Sequence, residues 1–155
     1  MAWTTSTIAE AYRLALVDDL VSPQAVDGWL DGLIAAVDSP SPELIDASVA
    51  ANESVPALVA ALAALAPGFE PELSVRGYFR LASDRIADDA SSIRTVTRTL
   101  EQLALDHRAP SGCEAAMLRF DDAMSLARGR VYGTEDEVLL ELRAFLAQNS
   151  DWPRA

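Results

Sequence analysis

Few residues in this chain can do chemistry. There is one histidine, His107, and one cysteine, Cys113; the rest are carboxylates, including the adjacent pairs Asp18-Asp19 and Asp121-Asp122 and the run Glu135-Asp136-Glu137. A Ser-His-Asp triad, a Cys-His pair or a histidine-bearing zinc site would each have to use His107. That residue lies in "LALDHRAPSGC", beside a proline and a glycine, and reads as a cation near a helix C-terminus. A single cysteine allows no internal disulfide and no sulfur-rich metal site. The 12 basic residues are all arginine, so Schiff-base chemistry and a phosphate-loop lysine are excluded.

Carboxylates working alone must converge on a substrate, whereas neighbours on a helix diverge by about 100°. A metal at Asp121 and Asp122 would need further oxygen ligands at loop spacing, and no EF-hand pattern is present. A ferritin-like di-iron centre would need Glu-x-x-His, but Ala104 stands at that offset from His107. The expectation is therefore a protein that is not an enzyme, with no catalytic residue, metal or cofactor. A carboxylate-only enzyme using Asp18, Asp19, Asp121 and Asp122 is the remaining chemical alternative.

Charge is the more informative property. The chain of 155 residues has a net charge of −12. Residues 1–66 hold nine acids against Arg13 alone, a balance of −8, which leaves −4 for the remainder. A surface of this sign repels nucleic acid and anionic lipid and steers basic partners toward it. The candidate partner-binding residues are Asp18, Asp19, Asp27, Asp31, Asp38 and Glu43. Asp27 and Asp31 are four apart, with Asp38 on nearly the same side, a like-charge spacing that costs a helix a few tenths of a kcal/mol. Gly28 and Gly32 weaken the same helix by about 0.8–1 kcal/mol each relative to alanine. The structural alternative is that these glycines admit a neighbouring helix at close range while the aspartates face water.

The elements that must position these groups are helices. "SPQAVDGWLDGLIAAVD" is opened by Ser22 and Pro23 and aligns Val26, Trp29, Leu30, Leu33, Ile34 and Val37 on one stripe. "SPELIDASVAAN" repeats the start with Ser41 and Pro42 and aligns Leu44, Ile45, Ser48 and Val49. "SVPALVAALAALAPG" is apolar all round, the pattern of a central helix, and stops at Pro67-Gly68. A first helix, about Thr7 to Leu20, carries a Thr7-x-x-Glu10 capping box and the apolar positions Ile8, Ala11, Tyr12, Ala15 and Leu16. Val75, Tyr78, Phe79, Ala82 and Ile86 mark another helix, and Ile93, Val96, Leu100, Leu103 and Ala104 the next.

The stretch "RFDDAMSLARGRVYGTEDEV" reads as a joint between two helices. Ser111-x-x-Glu114 caps the first, whose stripe is Met117, Phe120, Met124 and Ala127; Arg119 pairs with solvent-facing Asp122, and Gly129 supplies the left-handed stop. Thr134-x-x-Glu137 caps the second, turning Val138, Leu139, Leu142, Phe145 and Leu146 inward and leaving Leu140 to suggest a second buried side. Trp3 and Trp152, near the termini, are candidates for exposed aromatic anchors. The fold expected is all-α: one domain over residues 1–155, a compact bundle of about seven or eight short helices arranged as antiparallel hairpins. No apolar run approaches the ~18–20 residues of a membrane span and no basic n-region precedes an apolar stretch, so the expected location is cytoplasmic.

"WLDGLIAAVDSPSPELIDASVAANESVPALVAALAAL", followed by "FDDAMSLARGRVYGTEDEVLLELRAFL", resembles small uncharacterised bacterial all-helical proteins. In these a Trp-bearing helix precedes a Pro-initiated one, and a Phe-Asp-Asp helix leads through Tyr-Gly to a C-terminal helix. Such proteins are grouped with the immunity proteins of toxin systems. The resemblance covers Trp29 to Leu65 and Phe120 to Leu146 and contains no catalytic motif. It implies toxin neutralisation as the concrete form of what the acidic balance leads one to expect: a non-enzymatic acidic binding protein that engages a basic protein partner and binds neither nucleic acid nor membrane. The alternative is a regulatory or scaffold domain that forms a homo-oligomer through an apolar face.

Overall fold

Each of the first four helices begins where a hydroxyl can satisfy an otherwise unpaired backbone N–H. A computed structural model describes residues 1–154. In it α1 (Thr5–Val17), α2 (Pro23–Ala35), α3 (Pro42–Ala50) and α4 (Val55–Leu65) are capped by Thr4, Ser22, Ser41 and Ser54, whose side chains accept from the amide three residues on. The remaining helices are α5 (Pro71–Asp88), α6 (Ile93–Leu105), α7 (Glu114–Arg128) and α8 (Glu135–Asn149), with a short 3-10 turn at Ala90–Ser92. Of these only α8 has a side-chain cap, Thr134. No strand occurs among the described residues, and no described helix is long and apolar enough to cross a membrane. The chain is an all-helical bundle.

Two apolar clusters share α1. One is aliphatic and small: Leu16, Val26, Leu30, Leu44, Leu58 and Leu62 with buried alanines such as Ala9 and Ala47. The other is larger and aromatic, built on Tyr78, Phe79, Phe120, Leu100, Met117 and Leu142. Phe145 joins Phe79 and Phe120 with ring centroids 5.3 Å and 5.4 Å away. The central helix is α5, not the alanine-rich α4: α5 buries eight residues, whereas α4 buries only Leu58 and Leu62 and exposes Val55. A continuous apolar surface of methyl groups can face water at small cost, so all-round apolarity in an alanine helix does not require burial.

α5 packs against α1 through Gly77. A β-carbon there would lie 2.9 Å from both the Ala11 Cβ and the Trp3 ring and 3.3 Å from Trp152, so only hydrogen fits. Gly28 and Gly32 are different. Nothing lies within 4 Å of a β-carbon added at either, so they do not admit a neighbouring helix. Trp3 and Trp152 are not free anchors but pack on each other at 5.6 Å, and Tyr12 bridges Trp152 to Trp29 at 5.3 Å and 5.1 Å. The tails therefore fold back over the α1–α5 seam.

Several local expectations are corrected. Thr4, not Thr7, caps α1; the Thr7 hydroxyl instead accepts from the Glu70 amide at 3.0 Å, tying α1 to the start of α5. Ser111 does not cap α7, which starts at Glu114 without a side-chain cap. Gly129 is helical at φ −74, and the left-handed stop falls one residue later, on Arg130 at φ 55. There the Val131 amide donates to the Leu126 carbonyl. Asp19 and His107 take the same conformation after α1 and α6, with Leu20 and Arg108 donating back to Ala15 and Leu103. In α3 the buried stripe is Leu44, Ala47 and Ala50, while Ile45 and Val49 are exposed.

Candidate functional site

The proposed partner-binding carboxylates divide into two kinds. Asp19, Asp31, Asp38 and Glu43 are exposed. Asp38 lies beyond the C-cap Ala36, so α2 carries Asp27 and Asp31 but no three-aspartate face. Asp27 is half-buried, with one carboxylate oxygen enclosed and without a hydrogen-bond partner. Asp18 turns inward, accepting from the Tyr78 hydroxyl across the α1–α5 seam. Burial raises its pKa, opposed by the Thr99 and Tyr78 hydroxyls. Burial, and then the negative charge of Asp18, push the Tyr78 phenol well above its ordinary value. Asp18 therefore leaves the set of surface contacts and becomes a seam residue.

The one basic residue of the N-terminal half is consumed internally. Glu10, only 3% exposed, receives two hydrogen bonds from Arg13 at 2.7 Å and one from Arg108 at 2.9 Å. Burial raises the Glu10 pKa, but the two guanidinium groups outweigh it and hold the carboxyl below its ordinary value. Arg108 also stacks on Phe69, 5.4 Å from the ring centre. With Arg13 so engaged, none of the eight carboxylates from Asp18 to Glu53 lies within 4.0 Å of a cation among the described residues. The whole acidic surplus of this half is exposed to solvent or enclosed without a counter-ion.

Comparison with known proteins adds nothing to this geometry: no protein-family model, no curated protein and no solved structure matches the chain. The functional reading rests on its own residues.

The other candidate carboxylates, Asp121 and Asp122, lie on different faces of α7. Asp121 accepts from Thr97 at 2.9 Å, joining α7 to α6, while Asp122 is exposed. Arg119 does not pair with Asp122; it reaches Glu141 on α8 at 3.1 Å and lies over Phe120. No three histidine, cysteine, aspartate or glutamate residues among those described are arranged to hold a metal ion. His107, in its left-handed position after α6, is exposed.

The joint between α7 and α8 contains what the sequence reading missed. Val131 and Tyr132 are 73% and 78% exposed, and Tyr132 borders a groove of about 460 Å³ floored by Leu118, Ala123, Leu126 and Val138. Leu140 is 71% exposed, so no second side of α8 is buried within the chain itself. An aromatic beside a glycine in a turn was the available signal. A turn explains the glycine but not the aromatic.

Proposed function

We propose that this chain is a non-enzymatic acidic binding protein that engages a basic protein partner through its N-terminal half, with neutralisation of a toxin as the concrete form. The observation that carries this reading is the absence of any counter-ion within salt-bridge distance of the carboxylates between Asp18 and Glu53. Charges paired within the protein contribute little to its outer field, whereas unpaired ones sum into a potential that accelerates encounter with a cationic surface by about 10–10³-fold. Asp19, Asp31, Asp38 and Glu43 are the accessible contributors.

The test is capture of basic proteins from bacterial extract on the immobilised chain, repeated with the combined variant Asp19→Asn, Asp31→Asn, Asp38→Asn and Glu43→Gln. A captured protein of net positive charge should associate with a rate constant that falls with ionic strength, and the variant should both slow association and flatten that dependence. Equal rates for the two chains would remove this face as the interface. For the toxin form, co-expression of the chain should restore growth of cells producing the captured protein.

A further inference from the structure

The α7–α8 groove does not belong to the N-terminal acidic face. Its floor is apolar, from Leu118, Ala123, Leu126 and Val138, and Tyr132 closes one side. Its rim bears Asp122, Glu137 and Glu141 against Arg119, which is already paired with Glu141. At about 460 Å³ it has the size of a ligand-binding cleft rather than a packing defect. The lining comes from α7, α8 and the turn between them, and the Phe79–Phe145–Phe120 stack holds the two helices in place.

We infer that this groove is a second docking surface, whose occupant is an amphipathic helical segment of a protein partner with apolar anchors and flanking Lys or Arg. Charge complementarity selects that chemistry. The apolar floor takes side chains spaced along one helix face, as helix-in-groove recognition requires, and the surplus rim carboxylates meet flanking cations. An acidic helix would place its charges against the two unpaired rim carboxylates, Asp122 and Glu137. A second copy of this chain, at net charge −12, would add long-range repulsion to the same clash. The exposed turn "RVYG" presents Tyr132 as the anchor contact, a residue type enriched among those that dominate binding energy.

The experiment titrates a synthetic amphipathic helix of leucine and lysine, and its leucine–glutamate counterpart, into the full chain while backbone amide shifts are followed by NMR. The Leu/Lys helix should shift amides between Ala115 and Glu141, and the Leu/Glu helix should not. Tyr132→Ala and Leu126→Ser, both at exposed positions, should each weaken binding by about tenfold while leaving the circular dichroism unchanged. Asp31→Asn with Glu43→Gln should leave that affinity intact, so the outcome is independent of the N-terminal interface. Shifts confined to residues 18–53, equal binding of both helices, or an unchanged affinity in Tyr132→Ala would each overturn the inference. So would a concentration-dependent dimer abolished by Tyr132→Ala, which would make a second copy the occupant.

Discussion

The N-terminal helices α1–α4 and the C-terminal helices α5–α8 solve the same folding problem with different means. The first set has a core of leucine, valine and alanine, hydroxyl caps on all four helices, and no ion pair beyond Glu10 with Arg13 and Arg108. The second has stacked phenylalanines and a buried tyrosine, mostly uncapped helix starts, and ion pairs such as Arg76–Glu72 and Arg119–Glu141. Exposed pairs contribute only about 0–1 kcal/mol each, so the second set gains little stability from its pairing. The difference lies outside the protein. One half cancels part of its charge, and the other leaves most of its carboxylates without a counter-ion.

The comparison can be broken first at the cores. Phe79→Ala removes one of the two rings packed on Phe145 of α8 and should cost about 3–5 kcal/mol in urea unfolding, against about 2–5 kcal/mol for Leu62→Ala in the aliphatic cluster. Because α1 contributes Ala9 and Leu16 to one cluster and Ala15 to the other, both variants should still unfold in one cooperative step. Two resolved steps for Leu62→Ala would separate the halves into independent units.

Glu10 is the next largest effect. Glu10→Ala should cost about 2–3 kcal/mol, less than a fully buried pair because Arg13 and Arg108 are partly exposed and can rehydrate. Its folded pKa lies below the ordinary carboxylate value, so its stabilisation is fully present above that value and is lost as pH falls through the lowered pKa. Glu10→Gln should accordingly be less stable at neutral pH and lose less stability on acidification. Asp18 has the opposite sign. Its raised pKa makes its contribution fully present below the ordinary value and lost as pH rises through the raised one.

The glycines give the sharpest test for a single substitution type. Gly77→Ala should destabilise by about 1–3 kcal/mol, since Ala11 and Trp3 must shift to admit a methyl group. Gly28→Ala and Gly32→Ala, with open space around them, should each stabilise by about 0.8–1 kcal/mol. Stabilisation at Gly77 would mean that the α1–α5 seam is looser than its contacts imply. Of similar size and opposite sign to the Gly28 and Gly32 changes, Ser22→Ala, Ser41→Ala and Ser54→Ala should each cost about 1 kcal/mol by leaving a helix-start amide unpaired, measured by the thermal midpoint.

What the sequence made legible follows from the range of the interactions. The all-helical class, the Ser-Pro starts of α2 and α3, the buried stripes of α5, α6 and α8 and the Thr134 cap depend on spacings of three and four residues, and the structure has them. Some errors are local, such as the stop on Arg130 rather than Gly129, and others arose where a distant segment competes. Glu10 completes a local capping pattern, yet Arg108, far along the chain, draws it into the interior. Arg119 has Asp122 one turn away but finds Glu141 across the helix pair. Gly77 lies inside a well-patterned helix, and nothing local indicates that Trp3 and Trp152 converge on it. For the candidate site, the sequence exposed the charge imbalance but not that Asp18 turns inward, nor that the α7–α8 joint opens a groove.

The gathering of Trp3, Trp29 and Trp152 around Tyr12 has an optical consequence. These are all the indoles in the chain, so ultraviolet emission samples one small corner of it. A ligand settling beside Tyr132 would leave that light almost unchanged, whereas detachment of either tail would alter it at once. Intrinsic emission is thus a sensor of the ends of this protein, and a probe of its far side has to be introduced.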